Sequence, residues 1–304
     1  MTGLHVHDEV ADALDEGRPV VALESTIFSN LGLPSPANHE ALDRCLAAIR
    51  DHDAVPALTA VLDGVARVGI DPTEHHRILG SARKAASRDL ALAVAQGWEF
   101  GATTVSASLT LAARIGIEVF ATGGIGGVHR GAGTSGDISA DLEALRALPV
   151  VTTCAGAKSF LDLPRTLEHL ESVGVPVLGW RCDEFPAFTT VTSGLPVPHR
   201  VETADEVAAI VRSARHLGQE HGVLVTIPVP ADHALSPEVL EVATAEALAD
   251  AADAGIDGPG VTPFVLDHIA RATDGRSVPA NLALAEQNAA IAAQIAGALC
   301  EQRR

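Results

Sequence analysis

Of the 21 basic residues in this chain, nineteen are arginines and two are lysines, Lys84 and Lys158. Arginine keeps its proton and cannot serve as a nucleophilic amine, whereas a desolvated lysine can lose its proton and form a Schiff base. A lysine retained in a chain that otherwise uses arginine for positive charge is a candidate for covalent chemistry; the plain alternative is that the few lysines fall where they do by chance. Lys158 follows the apolar run Val150 to Cys154 and the small residues Ala155-Gly156-Ala157. That context places the amine at a strand end with room for a substrate carbon, where burial favours the neutral form. Glu24 ends a second apolar run, Pro19 to Leu23. A carboxyl group emerging there is either a general acid and base or an ordinary sheet-edge or capping acid.

Three further groups could bind a substrate. The segment Ala121-Thr122-Gly123-Gly124-Ile125-Gly126-Gly127-Val128-His129-Arg130-Gly131 follows a third apolar run, and its glycines let main-chain amides approach an anion or a sugar. Thr122 and His129 are the side chains it offers. It is neither a dinucleotide fingerprint nor a P-loop, because His129 stands where the third glycine is required and no Gly-Lys-Ser/Thr follows. Beyond it, Asp137 and Asp141 lie four apart. On one helix face they could hold a divalent cation, or they could simply favour a helix start. Ser81, Arg83, Lys84, Ser87 and Arg88 form a local basic cluster that suits a small phosphate, or else a solvated helix start. The acid pair Asp183-Glu184 has no spacing that assigns it a role.

The elements that must position these groups alternate in type. Apolar runs at 19–23, 57–62, 119–122, 150–154, 175–180 and 222–227 read as buried strands, with helical segments between most of them. Asp63-Gly64 between β-formers has the composition of a two-residue hairpin, so the sheet is expected to be mixed. The C-terminal third reads as helical. Ser236-Pro237-Glu238 opens one helix, closed by Gly255; Thr262-Pro263 opens a second, stopped by Gly275. Residues 277–281 then lead into an alanine-rich helix running almost to Arg304, apolar on most faces and therefore buried against the body or another subunit. The expected fold class is α/β with a mixed sheet, treated as one domain over 1–304.

Composition narrows the function classes. The chain has 304 residues, 47% of them hydrophobic, and a formal charge of −18, which disfavours a nucleic-acid polymer as partner. No apolar stretch is long enough to span a bilayer and the first residues lack a signal-peptide pattern, so the expectation is a cytoplasmic protein without a membrane partner. Cys45, Cys154, Cys182 and Cys300 are widely spaced and read as reduced thiols.

The stretches Ala22-Leu23-Glu24-Ser25-Thr26-Ile27, Phe120 through Gly131, Asp137-Ile138-Ser139-Ala140-Asp141-Leu142 and Cys154-Ala155-Gly156-Ala157-Lys158-Ser159 resemble the pseudouridine-5′-phosphate glycosidases. So do Asp183 through Phe188, Ser193 through Pro198 and Thr262-Pro263-Phe264, in order along nearly the whole chain. The resemblance implies a three-layer α/β/α fold with a central mixed, mostly parallel sheet, a homotrimer and a divalent metal, usually Mn²⁺. It also implies Lys158 as Schiff-base nucleophile, Glu24 as proton donor and acceptor, and Asp137 as metal ligand. Lys84, Val105, Ser139, Ala140 and Asp141 would contact substrate, and Asn281 would be a further active-site residue. The partners implied are ribose 5-phosphate and a uracil or aromatic aglycone. Departures from the family pattern lie at Ser29 to Pro34, which is one residue longer and lacks a histidine, at Gly133 to Gly136, and at Thr189 in place of a tyrosine. They suggest a widened aglycone side and favour a C-glycosynthase joining ribose 5-phosphate to an aromatic polyketide in antibiotic biosynthesis, with the ordinary glycosidase as the alternative.

Overall fold

The six expected strands are present in the computed structural model, which describes residues 3–256 and 258–301. In chain order the strands are β1 (Leu4–Val6), β2 (Val20–Leu23), β3 (Val55–Leu62), β4 (Val65–Val68), β5 (Arg83–Ala85) and β6 (Phe100–Thr103). They continue with β7 (Val119–Ala121), β8 (Val151–Cys154), β9 (Val177–Trp180), β10 (His199–Val201) and β11 (Val223–Thr226). The sheet runs β1-β4-β3-β2-β7-β8-β11-β9-β10, with β6 on β3 and β5 on β6.

Strand β3 belongs to two pairings. Its first half, Val55 to Leu58, lies parallel to β2, while Thr59 to Leu62 turn away to pair antiparallel with β4 and with β6. From β2 to β10 every pairing is parallel. The expected hairpin is present, with Leu62 opposite Val65 and both Asp63 and Gly64 at positive φ.

Alternation along the strands sorts the core onto two faces. Val21, Leu23, Val119, Ala121, Val223 and Val225 face one cluster, covered by the helices Ala37–Arg50, Ala204–His216 and Ser277–Glu301. Val20, Ala22, Phe120 and Leu224 face the other, covered among others by Val105–Ile115, Ala140–Ala147 and Leu163–Ser172. The result is the expected three layers, with the helices Pro237–Asp253 and Val261–Ala272 added on the second side.

Several expectations change in detail. Residues 277–281 are not a lead-in but the first turn of the C-terminal helix, which is followed to Glu301; Arg304 lies outside the described residues. That helix is covered by its own chain, packing on Ala37–Arg50, Ala204–His216 and strands β2, β7 and β8, so its apolar surface needs no second subunit. The second C-terminal helix starts at Val261 after Gly260, which places Thr262 inside its first turn. Lys84 lies in strand β5, not at a helix start.

The loop after β8 passes close beneath Pro186. Gly156 there has φ of 78°, and a Cβ would collide with the Pro186 carbonyl oxygen. Gly156→Ala should therefore destabilise the fold by at least about 2 kcal/mol, from left-handed strain plus the clash. Urea unfolding checks this, and a change within about 0.5 kcal/mol would contradict it.

Candidate active site

The C-terminal ends of parallel strands β2, β7 and β8 converge on one cavity. Glu24 is the first residue past β2 and is only 7% exposed. Thr122 is the first past β7, and its hydroxyl donates a short hydrogen bond to Glu24 Oε1. Lys158 follows β8 by four residues in a loop stitched to the glycine-rich loop beside it. Ala155 N donates to Gly123 O at 2.9 Å, Ile125 N to Gly156 O at 3.1 Å and Lys158 N to Ile125 O at 3.2 Å. These main-chain bonds fix where the lysine stem begins. Glu24, Thr122, Lys158 and Asn281 line the cavity, with Phe188 and Leu266 among its apolar walls.

A buried hydroxyl cluster anchors the chain behind Glu24. Thr26 Oγ1 donates to Thr103 O at 2.7 Å, Thr103 N donates to Ser25 Oγ at 3.0 Å, and Thr103 Oγ1 donates to Thr59 O at 2.7 Å. Strand β6, which ends in Thr103, is thus the clamp for the segment that carries the carboxyl group. Its sequence, Phe-Gly-Ala-Thr, has no apolar run to announce it.

Burial pushes the Glu24 carboxyl above the usual carboxylate range, and the positive charge of Lys158 and the Thr122 hydroxyl offset only part of that. A carboxyl group so placed keeps its proton to higher pH than an exposed one and can deliver it. Burial, then the neighbouring Lys158 charge, lowers the affinity of Lys84 for its proton, while Asp141 and Glu24 act the other way. The two lysines of the chain therefore share one electrostatic neighbourhood. Burial likewise lowers the His129 imidazole, against the pull of Asp137.

The remaining expected residues divide by role. Asp141 does not share a helix face with Asp137: the helix begins at Ala140 with Ser139 as its cap, and Asp137 lies before it. Asp141 turns inward, Oδ1 accepting from Ser106 N and Oδ2 from Gly126 N, both at 2.9 Å. It ties the glycine-rich loop to the start of the helix Val105–Ile115, with each oxygen engaged by one main-chain N–H. Ser139 Oγ accepts from Asp141 N at 3.2 Å, and Ala140 is exposed. Val105 is 2% exposed, so its side chain is core and only its main chain could serve a ligand. Asp137 is partly exposed, 3.6 Å from His129 Nδ1. Asp183 and Glu184 are exposed, Asp183 paired with Arg200 at 2.8 Å. Asn281 Nδ2 donates to Ser277 O at 3.0 Å on the cavity wall.

Sequence reasoning did not single out Phe188, Leu266 or Asp267 as cavity walls, nor Asn288 behind it. Among the amides of that helix, Asn281, Gln287, Asn288 and Gln294, no local pattern marks Asn288 as the fully buried one. A cavity holding a buried proton donor, an amine and a basic neighbour suits acid-assisted attack of the amine on a sugar carbon.

The family profile described as "Indigoidine synthase A like protein" matches residues 9–298. The pseudouridine-5′-phosphate glycosidase of Sorangium cellulosum is 48% identical over 301 residues, covering 98% of this chain and 94% of that protein. The one from Methylobacterium nodulans is 50% identical over 294 residues, covering 96% and 86%. Among solved structures, the prealnumycin C-glycosynthase AlnA in complex with ribulose 5-phosphate superposes with a TM-score of 0.89 at 36% identity, over 99% of this chain and 98% of that one. With both sequence and fold matched across nearly its full length, the chain belongs to the pseudouridine-5′-phosphate glycosidase family, the indigoidine synthase A-like proteins.

Proposed function

We propose that this protein breaks and makes the carbon–carbon glycosidic bond between ribose 5-phosphate and a base, with pseudouridine 5′-phosphate as substrate and uracil as leaving base. The observation that carries the reading is the pairing of a buried carboxyl group, Glu24, with the Lys158 amine in one cavity. A carbon leaving group cannot be released by a simple carboxylate pair of the O-glycosidase kind, so an amine route is required. Glu24 gives its proton to the ribose ring oxygen, and the ring C–O bond breaks. The Lys158 nitrogen bonds to the anomeric carbon and loses a proton. Its lone pair then forms the C=N bond as the carbon–carbon bond breaks, and the base takes up a proton at the released carbon. Water hydrolyses the imine to ribose 5-phosphate and free amine, so water is the one reactant added.

Uracil is preferred to an aromatic polyketide on two grounds. Relatives at 46–50% identity are glycosidases by name, against 36% for the C-glycosynthase. Thr189, which the sequence reading placed on the aglycone side, is buried and outside the cavity wall. The longer segment at Asn30 to Leu33 does line the cavity, with Asn30 Oδ1 accepting from Ala82 N at 2.9 Å. That segment alone favours the second reading, a C-glycosynthase of antibiotic biosynthesis.

Lys84, whose ammonium lies within electrostatic range of Asp141, is proposed to hold the phosphate together with Ser139 and Ala140. For the divalent cation, the described residues contain no group of three or more His, Cys, Asp or Glu that could enclose an ion. Asp137 with water fits a hard ion that keeps most of its hydration shell, and is proposed to hold Mn²⁺ or a similar cation. Such an ion would supply positive charge beside an anionic substrate. A homotrimer is proposed from the family resemblance, without support from the C-terminal helix. Among the described residues no helix is long and apolar enough to cross a membrane.

Incubation with pseudouridine 5′-phosphate and Mn²⁺ should release uracil, and Lys158→Ala should reduce turnover by at least about 10³-fold while ribose 5-phosphate still binds. Turnover surviving in the variant, or no uracil from the unaltered enzyme, would overturn the reading. Lys84→Ala removes a charge-assisted contact worth about 1.5–3 kcal/mol, so KM should rise about 10- to 100-fold with kcat nearly unchanged. Steady-state kinetics check this, and an unmoved KM would contradict the phosphate assignment. EDTA should suppress activity, Mn²⁺ should restore it, and Asp137→Ala should need at least about tenfold more Mn²⁺ for half-restoration. An unchanged Mn²⁺ requirement would remove Asp137 from the metal site.

A further inference from the structure

Asn288 has no assigned role, yet it is fully buried in the middle of the helix Ser277–Glu301, among Leu284, Ala285, Ala289, Ile291 and Ala292. An amide in such surroundings is unfavourable unless it is hydrogen-bonded. Its Nδ2 donates to Thr122 O at 2.8 Å and to Gly123 O at 3.3 Å, and its main-chain oxygen accepts from Thr153 Oγ1 at 3.0 Å. Its Oδ1 is buried with no hydrogen-bond partner. The side chain thus leaves its own acceptor unsatisfied in order to aim both of its N–H bonds at two consecutive carbonyls. Those carbonyls belong to the residues at which β7 gives way to the glycine-rich loop. Thr122, held in this way by its carbonyl, reaches Glu24 Oε1 with its hydroxyl.

We infer that Asn288 is a positioning residue for the reaction: by fixing the Thr122–Gly123 peptide it aims the Thr122 hydroxyl at the Glu24 carboxyl group. The inference rests on the proposed acid–base role of Glu24. The physical chain has two links. Without the amide, the peptide loses a donor on the side facing the helix and can rotate. Once it rotates, the hydroxyl no longer lies on the carboxyl oxygen. A hydroxyl donating to a carboxylate favours the ionised form, so its withdrawal makes Glu24 hold its proton to higher pH. Activity needs that proton and falls as pH rises through the Glu24 titration, so the alkaline limb of kcat should move upward.

The test compares Asn288→Ala, Thr122→Val and their combination by the pH profile of pseudouridine 5′-phosphate cleavage, by KM and by thermal melting. Asn288→Ala should lower kcat about tenfold with KM within about twofold, and move the alkaline limb upward as Thr122→Val does. The double variant should be no slower than Thr122→Val, because both changes break one chain of contacts. A lowered melting temperature with an unmoved limb, or losses that multiply, would overturn the inference. Asn288→Asp keeps the shape while withdrawing donors and carries the same readout if the alanine variant does not fold. Glu24→Gln separates the two failures. Full activity in that variant overturns the acid–base reading and the positioning role with it; loss of activity there, with an unmoved limb in the Asn288 variants, overturns the positioning role alone.

Discussion

The placement of a largely buried carboxyl group at the wall of a cavity, within electrostatic range of an amine, is the constraint on which this molecule turns. Glu24 would be an ordinary ionised surface acid if it lay a few residues further into a loop. It is instead the first residue past a strand enclosed on both sides by parallel neighbours, with β7 and β3 beside it and helices above and below. Burial favours its protonated form, and Lys158 and Thr122 pull the other way.

That placement explains why so much of the structure is given to holding three strand ends in register. The main-chain stitching between the loops after β7 and β8 sets where Lys158 departs. Asp141, with both oxygens on main-chain N–H groups, sets the course of the glycine-rich loop. The Thr59, Thr103 and Ser25 cluster holds the segment after β2 from the other side. Each is a polar arrangement that would be unfavourable if partly satisfied, and the hydroxyl cluster and Asp141 lie outside the cavity lining. The division of labour is clear at Asp141, which resembles a ligand in sequence and is a structural tie in space.

What could be read from the sequence divides along the same physical line. Lys158, Glu24 and the two strands that carry them were legible because an apolar run followed by a lone reactive side chain is a local pattern. The hairpin at Asp63-Gly64 was legible because its turn demands particular residues. Strands β5, β6 and β10 were not, since Arg-Lys-Ala, Phe-Gly-Ala-Thr and His-Arg-Val have no periodicity and are strands only because a neighbour offers its edge. The supposed face shared by Asp137 and Asp141 failed because the helix cap falls between them at Ser139. The cavity walls from the helix Val261–Ala272 bring together residues more than 200 positions apart, which no local pattern encodes.

In the proposed reaction the Lys158 nitrogen becomes bonded to the first carbon of a phosphorylated pentose. Borohydride reduction of the enzyme in the presence of ribose 5-phosphate, followed by peptide mass mapping, tests it most directly. A reduced pentose phosphate adduct on the peptide that carries residue 158, and on no other, is the expected result. No adduct at all, or one on the Lys84 peptide instead, would contradict it.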